Sequence, residues 1–555
     1  MRIFLVGPTG VGKSTVGRIL AARCGLPFVD SDELVAARAG RSIPDIFRRE
    51  GEQGFRRRER LAVAEIARLG AIVAALGGGA VLDPRVGELV RASGRVVGLS
   101  LSSQELMRRL AAAPRPYLPP PDSDSFQAAV QQAVVARQEA CRRLGPVVDV
   151  TGLSPEQAAA AVMAVLGLVA GSREAFLLPS WQLELRLPHT CSSVLARPGF
   201  VSRAGEAGLA RGELVRGADR VLVVSSPLPY CLYGRALVET WKEAGATVHV
   251  SLVPDGERAK QERWLRYLWR RWAELGVERQ ARVVAIGGGA VSDLAGLAAA
   301  TYLRGLGWGV IPTTLLAQVD AALGGKVAID LPEGKNLVGA FHQPAWIIVD
   351  VSVLGSLPGE QIRAGLAEAV KCALLAGEEF LALLESGARG LAASSLAGQV
   401  FLDEVVRRCL AEKVAVVQRD ERETGPRQLL NLGHTVGHAV EAETGWSHGE
   451  AVAVGLVAAC RLAARLGGAA PPGGGLAERV EHLLGDLGLP VNIPRGSGPR
   501  VLDRMRWDKK VRDGEARFVL PIAPGVVEWG QRVPVDLVRE VVAGLEGDAC
   551  GSESR

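Results

Sequence analysis

IFLVGPTGVGKSTVGRIL, residues 3–20, is an apolar, β-branched run that passes through a glycine loop into a helix-forming pattern. The loop reads GxxxxGKS from Gly7 to Ser14, with a strand before it and a helix after it. Gly7, Gly10 and Gly12 let backbone N–H groups turn inward around a triphosphate. Lys13 can reach the β and γ phosphates, Ser14 offers an oxygen to Mg²⁺, and Thr15 follows at the helix start. A strand–loop–helix opening of this kind predicts an α/β unit with a parallel sheet and its ligand beyond the strand ends.

Two later stretches extend that unit. LPFVDSDELV (26–35) reads as a second strand closing on aspartates, of which Asp32 could serve Mg²⁺ or a substrate hydroxyl. AIVAALGGGAVL (71–82) is a buried-strand pattern that ends in Gly77, Gly78 and Gly79. With EGEQGFRRRE (50–59) between them, residues 1–171 resemble shikimate kinase. The resemblance implies a P-loop kinase-type parallel sheet and ATP-dependent phosphorylation of shikimate, with Mg²⁺ accompanying ATP. It gives Asp32 to the shikimate hydroxyls, Arg56 and Arg137 to the carboxylate, Gly77–Gly79 to the ring, and Arg115 to a lid over the phosphates. A nucleotide-binding regulatory module, or a degenerate kinase, is the rival reading. A pure ATP sensor, however, needs no carboxylate clamp.

At 555 residues the chain is too long for one core, so more than one domain is expected. Its 48% hydrophobic and 23% charged content is ordinary for a globular protein, and a net charge of +5 over this length forms no basic stripe for nucleic acid. The eight cysteines form no CxxC pair and read as thiols in a reducing, cytoplasmic setting. The longest apolar stretch, Ala158–Gly171, is too short to span a bilayer, and the opening strand leaves no room for a signal peptide. Only nine of the 65 basic residues are Lys, and all but Lys242 fall inside motifs. Where a chain writes Arg by default, a retained Lys marks a place that needs a compact ammonium, here for anionic ligands.

Residues 172–180 read as a linker, after which strands and helices alternate afresh through residue 354. WQLELRL (181–187) alternates apolar and polar residues. ARVVAIGGGAVSDLAGLAAATYLRG (281–305) is strand, glycine loop and helix, a Rossmann-like nucleotide-binding unit. Its GGGxxxD spacing is not GxGxxG, so a dinucleotide is one reading among several. Residues 355–545 turn helical, which predicts an all-α unit. There Glu368 and Lys371 share a helix face, and three of the seven histidines crowd into NLGHTVGHAVEAETGWSHGE (431–450). Imidazoles converging with a carboxylate suit Zn²⁺ or a similar ion. Spacing alone nominates His434 and His438, four apart, as the ligand pair.

Ten stretches in order complete the reading: VPDGERAK (253–260), GGGAVSDLAG, TYLRG, IPTTLLAQVDAALGGK, GKNLVGAFHQP, GLAEAVK, DERETG, LLNLGHTVGHAVE, HGEAVAVG and DKK (508–510). Across about residues 180–545 they resemble 3-dehydroquinate synthase. The resemblance implies NAD⁺- and metal-dependent conversion of 3-deoxy-D-arabino-heptulosonate 7-phosphate to 3-dehydroquinate, with hydride removed and later returned around a phosphate elimination. It assigns Zn²⁺ or Co²⁺ to Glu368, His434 and His448, and gives His438 to the substrate. It places NAD at Glu257, Lys260, Gly287, Gly288, Gly289, Asp293, Thr313, Thr314, Lys326 and Lys335. The substrate falls to Arg304, Asp320, Asn336, Lys371, Asn431, Lys509 and Lys510, with Lys326, Lys413, Glu423 and Arg427 beside the chemistry. Where relatives carry an acidic or amide residue for the adenosine ribose, this chain has Ser225. A homodimer through this second unit, two separately folding units and no membrane contact are also expected.

Overall fold

The computed structural model describes residues 1–112, 125–168, 178–201, 218, 220–467, 475–505, 511–512 and 515–547. Five strands, β1 (Arg2–Val6), β2 (Phe28–Asp30), β3 (Ile72–Ala75), β4 (Arg95–Ser100) and β5 (Val147–Asp149), form a sheet in the order β2-β3-β1-β4-β5. Every pairing in it is parallel. Ile3, Phe4, Leu5 and Val6 are all buried, because helices cover both faces of the sheet and leave β1 no polar side. Chain direction reverses about β1, so its carboxyl end opens on the crevice where such sheets bind ligands. Gly7 follows there at φ 149°, and a Cβ on it would lie 2.5 Å from the carbonyl oxygen of Leu99. Only glycine lets the loop start so close to β4.

The second sheet has seven strands. β6 (Trp181–Leu187), β7 (Thr190–Ala196), β8 (Val221–Ser225), β9 (Val248–Leu252), β10 (Arg282–Gly287) and β11 (Gly307–Pro312) come first. A separate antiparallel hairpin, β12 (Lys326–Leu331) with β13 (Gly334–Phe341), precedes the last member, β14 (Trp346–Val349). The order is β6-β7-β14-β11-β10-β8-β9, parallel except for β6 with β7. Chain direction reverses between β8 and β10, which sets the crevice at Ser225 and Gly287.

After Leu354 the chain is helical, with the helices Gly359–Ala376, Leu396–Arg419, His434–Thr444 and His448–Gly467 at its centre. The all-α expectation needs one correction: Glu515–Ala523 and Val526–Arg532 form an antiparallel hairpin. Phe518 and Leu520 of that hairpin, two apart, enter the same core as the helices. A period-two signal this short does not stand out in a helical stretch. No described helix is long and apolar enough to cross a membrane.

The two sheets do not stand apart. Cys231, just past β8, is buried in the apolar core on one face of the first sheet, and Leu228 and Leu232 pack against that core. Gly70 N donates to Ser356 O and Ala71 N to Gly355 O, both at 2.8 Å. Glu33 Oε1 pairs with Arg235 Nη1 at 2.7 Å, and Arg68 pairs with Glu360.

Candidate active sites

At the first crevice, Lys13 Nζ donates to the loop carbonyls of Gly7 at 2.9 Å and Pro8 at 3.0 Å. Burial pushes the lysine pKa down, and the nearby carboxylates of Asp32 and Asp30 counter it. Ser14 Oγ donates to Asp30 Oδ2 at 2.5 Å. Asp30 also caps the next helix, accepting from Asp32 N at 2.8 Å, and thereby fixes where Asp32 starts. Thr15 is exposed on the first helical turn.

Asp32 faces the glycine triple. Burial, then the charges of Asp30 and Glu59, push its carboxyl up to about 7. A Cβ on Gly77 would fall 2.6 Å from Asp32 Oδ1, and one on Gly79 would fall 2.5 Å from Arg56 Nη2. The triple therefore forms a bare floor that side chains approach from above. Arg137 Nε donates to Gly78 O at 2.6 Å, and Arg56 Nη1 to Glu59 Oε2 at 2.7 Å. Asp32, Arg56, Arg137 and Gly77–Gly79 thus meet at one place. Sequence reasoning missed Glu59, buried and three residues past Arg56 on the helix that resumes after a break at Gly51. It also missed Arg109, whose Nη1 donates to Gly10 O at 3.4 Å. An i,i+3 Arg–Glu step was the available signal for Glu59, hidden in the run of five charges from Arg56 to Arg60.

The second site opens on a cavity of about 2120 Å³, lined by Glu257, Asp293, Asp320, Asn336, His438 and His448, among others. Gly288, Gly289, Thr313, Thr314 and Lys335 also face it. Gly288 caps the helix Gly289–Thr301, and since Gly288 and Gly289 line the cavity, the positive end of that helix borders it, as suits a pyrophosphate. Gly287 O accepts from Thr313 N at 2.9 Å, which ties the loop to the end of β11. Lys260 Nζ donates to Asp293 Oδ2 at 2.6 Å and also bonds Asn336 Oδ1. Burial pushes the Asp293 carboxyl up to about 6 despite that lysine.

At the metal end, His448 Nε2 lies 3.1 Å and His434 Nε2 3.5 Å from Glu368 Oε1. The donor atoms of the three lie within 4.8 Å of one another. His434 Nδ1 is 3.1 Å from Leu432 O, which points Nε2 at the cluster in the tautomer that donates to that carbonyl. His448 Nδ1 sits 3.3 Å from Glu441 Oε2, the carboxylate support usual behind a ligating imidazole. Burial pushes the His434 pKa down to about 3, which keeps the ring neutral. Burial would lower His448 too, but hydrogen bonds to Glu368 and Glu441 outweigh it and raise it to about 10. One carboxylate and two imidazoles around one point, each backed by a further group, fit a divalent ion. His438 stands edge-on to His434, ring centroids 5.2 Å apart, with its own ring exposed in the cavity. It also faces His448 and Glu441 in a second, more open group, so the backed and buried set is the better ligand set.

Beside the metal cluster lies a ring of cations. Lys371 Nζ reaches Asp320 Oδ2 at 3.1 Å, and Lys413 bonds both the carboxylate and the carbonyl of Asp320. Burial would raise the Asp320 carboxyl, but these two lysines hold it well below its usual range. Lys326 Nζ and Asn431 Nδ2 bond the two oxygens of Glu423, at 2.5 and 2.6 Å. Arg427 is buried and donates to Gly324 O at 2.8 Å. Asn336, Glu423 and Arg304 have φ of 57°, 59° and 68° respectively. With Leu303, they are the non-glycine residues at positive φ among the described residues, and such strain gathers at functional positions. Arg304 is exposed and does not line the cavity. Arg115, Lys509 and Lys510 lie outside the described residues, as do residues 172–177 of the expected linker.

Three family models match the chain: Shikimate kinase over residues 9–166, 3-dehydroquinate synthase N-terminal over 250–364, and 3-dehydroquinate synthase C-terminal over 365–511. A 3-dehydroquinate synthase of Nostoc punctiforme is 39% identical over 369 residues, which cover 65% of this chain and 99% of that protein. One of Symbiobacterium thermophilum is 44% identical over 323 residues, 58% of this chain and 89% of that protein. Among solved structures, 2-deoxy-scyllo-inosose synthase complexed with carbaglucose-6-phosphate, NAD⁺ and Co²⁺ is 25% identical, with TM-score 0.58 over 66% of this chain and 100% of that one. A 2-epi-5-epi-valiolone synthase from Streptomyces hygroscopicus with NAD⁺ and Zn²⁺ is 27% identical, with TM-score 0.57 over 66% of this chain and 99% of that one.

Proposed function

The chain belongs to the 3-dehydroquinate synthase family and carries a shikimate kinase unit ahead of it, and on that premise we propose which residues run its two reactions. It phosphorylates shikimate with ATP, and it converts 3-deoxy-D-arabino-heptulosonate 7-phosphate to 3-dehydroquinate and phosphate. Residues 1–171 form the kinase unit, 172–180 the linker, 181–354 the NAD-binding part and 355–545 the metal and substrate part.

In the kinase unit Lys13 and the loop N–H groups neutralise the transferring phosphate, and Ser14, its O–H donated to Asp30, would offer an oxygen lone pair to Mg²⁺. Arg56 and Arg137 hold the acid's carboxylate over Gly77–Gly79. Asp32 takes the proton of the attacking hydroxyl, and a carboxyl at about 7 is poised for that transfer near neutral pH. The clamp, which ATP sensing alone would not need, supports a working kinase.

In the synthase unit Glu368, His434 and His448 would hold the Zn²⁺ or Co²⁺ ion, and Gly287–Gly289, Thr313, Thr314 and the Lys260–Asp293 pair would hold NAD. When bound, NAD⁺ supplies the hydride acceptor and the ion steadies charge developing on neighbouring oxygens. Lys371, Lys413, Lys326 and Arg427 bind the carboxylate and phosphate of the anionic substrate. His438 hydrogen-bonds the sugar beside the ion, and Glu423, fixed by Lys326 and Asn431, moves a proton. A homodimer through this unit is supported by the exposed Leu337, Val338 and Phe341 on β13.

The observation that carries the reading is that one cavity is lined by both Gly288–Gly289 of the glycine loop and His448, whose ring belongs to the Glu368–His434–His448 cluster. Two assays on the purified chain test it: phosphate release from the heptulosonate, and shikimate phosphorylation by ATP. Absence of either product removes the corresponding half.

A further inference from the structure

The cavity that holds the dinucleotide loops has a wall from the other unit. Arg38, Gly40, Glu65, Arg68 and Leu69 of the kinase unit line it together with Asp255, Gly288 and Ser356 of the synthase unit. This wall is held closely. A Cβ on Gly70 would lie 2.3 Å from Gly355 O and 3.0 Å from Leu357 O, so only a bare backbone brings the two segments together there. Tyr233, past β8, ties the same segment down: its hydroxyl bonds Val353 O at 3.1 Å and Ser356 Oγ at 2.5 Å.

The position along the cleft follows from the sheet. The end of β11 leads through Thr314 to Asp320 and the metal cluster, so the nicotinamide half of a dinucleotide that crosses the β10 glycine loop lies on that side. Its adenosine half lies toward β8 and β9, and the residues after those strands, Cys231, Arg235 and Asp255, are the ones that meet the kinase unit. The tip of β8 itself presents nothing charged. Ser225 is fully buried, and its Oγ donates back to Ile286 O at 2.7 Å. Arg38, paired with Glu65 and 3.9 Å from Asp255, brings a guanidinium to this end of the cleft from the kinase side.

We infer that the kinase unit closes the adenosine end of the synthase's dinucleotide cleft and that Arg38 contacts the bound dinucleotide there. Cofactor affinity in one unit then depends on the docking of the other. This rests on the cleft taking NAD, as proposed above.

The test is equilibrium NAD⁺ binding to the full chain in three forms: wild type, Arg38→Ala and Gly70→Val. Neither substitution touches the phosphate loop, the shikimate clamp or the metal cluster. The Kd should rise about tenfold for Arg38→Ala, the loss of one charge-assisted hydrogen bond, and at least as much for Gly70→Val. Equal affinity in all three proteins overturns the inference while leaving the cofactor assignment standing. No NAD⁺ binding by the wild-type chain overturns the assignment itself, and the inference with it.

Discussion

Lys371 Nζ stands 2.5 Å from Glu368 Oε2, three residues along one helix, with both side chains at most 1% exposed. The same ammonium reaches Asp320, so one buried cation joins the metal cluster to the substrate ring. Removing it leaves carboxylates buried without their partner. Lys371→Met should destabilise the synthase unit by about 3–5 kcal/mol, the usual result of breaking a buried ion pair from one side. Urea unfolding followed in that unit measures it, and a loss below about 1 kcal/mol would mean that water or Lys413 replaces the ammonium.

The histidines separate by role. His434→Ala and His448→Ala should each lose the ion, because each removes one of three protein donors. His438→Ala should keep about one ion per chain while turnover falls roughly 10²-fold or more. Metal analysis beside turnover decides this, and loss of metal from the His438 variant would shift the ligand set to the more open group.

Asp32 gives the kinase a pH dependence of known sign. Its carboxyl must be ionised to accept a proton, and its pKa is raised from 3.8 to about 7. Shikimate kcat/KM should therefore climb through neutral pH, where an ordinary aspartate would already have reached its plateau. For stability the sign is opposite. The folded chain holds this proton more tightly than the unfolded one, so stability falls as pH rises from about 4 to about 7. Asp32→Asn should abolish the rate limb, and at pH 8 it should unfold at a higher temperature than wild type. A rate profile flat from pH 5 to 8 would remove Asp32 from the proton transfer.

Proteolysis between residues 172 and 180 should not separate the halves. Cys231 is buried in the core of the first unit, and backbone hydrogen bonds from Gly70 and Ala71 cross the junction. The two pieces should co-elute in gel filtration at moderate salt. Separate elution would mean that the linker, and not the interface, holds them together.

Much of this was legible in the chain. The phosphate loop, the glycine triples and the three close histidines each carry their chemistry in local spacing, and the structure gathers them as that spacing suggests. Ligand choice among the histidines was less legible, because i,i+4 spacing favours His434 with His438 while the three-dimensional cluster brings in Glu368 from a helix 66 residues before His434. The docking of the units was not legible at all. Gly70 lies in an unremarkable ARLGA stretch, and nothing local says that its missing Cβ makes room for a carbonyl nearly three hundred residues away. Glu59 and the hairpin at 515–532 were hidden for the milder reason that charged runs and helical runs mask short signals.

The positive φ values at Asn336 and Glu423 put durability and turnover at odds. A left-handed conformation costs a non-glycine residue roughly 1 kcal/mol that glycine would not lose. Glycine at either position would thus relax the backbone while deleting the amide that accepts from Lys260 or the carboxylate that bonds Lys326 and Asn431. A screen of variants for heat resistance should therefore enrich glycine at positions 336 and 423, and a screen for growth without aromatic amino acids should purge the same variants.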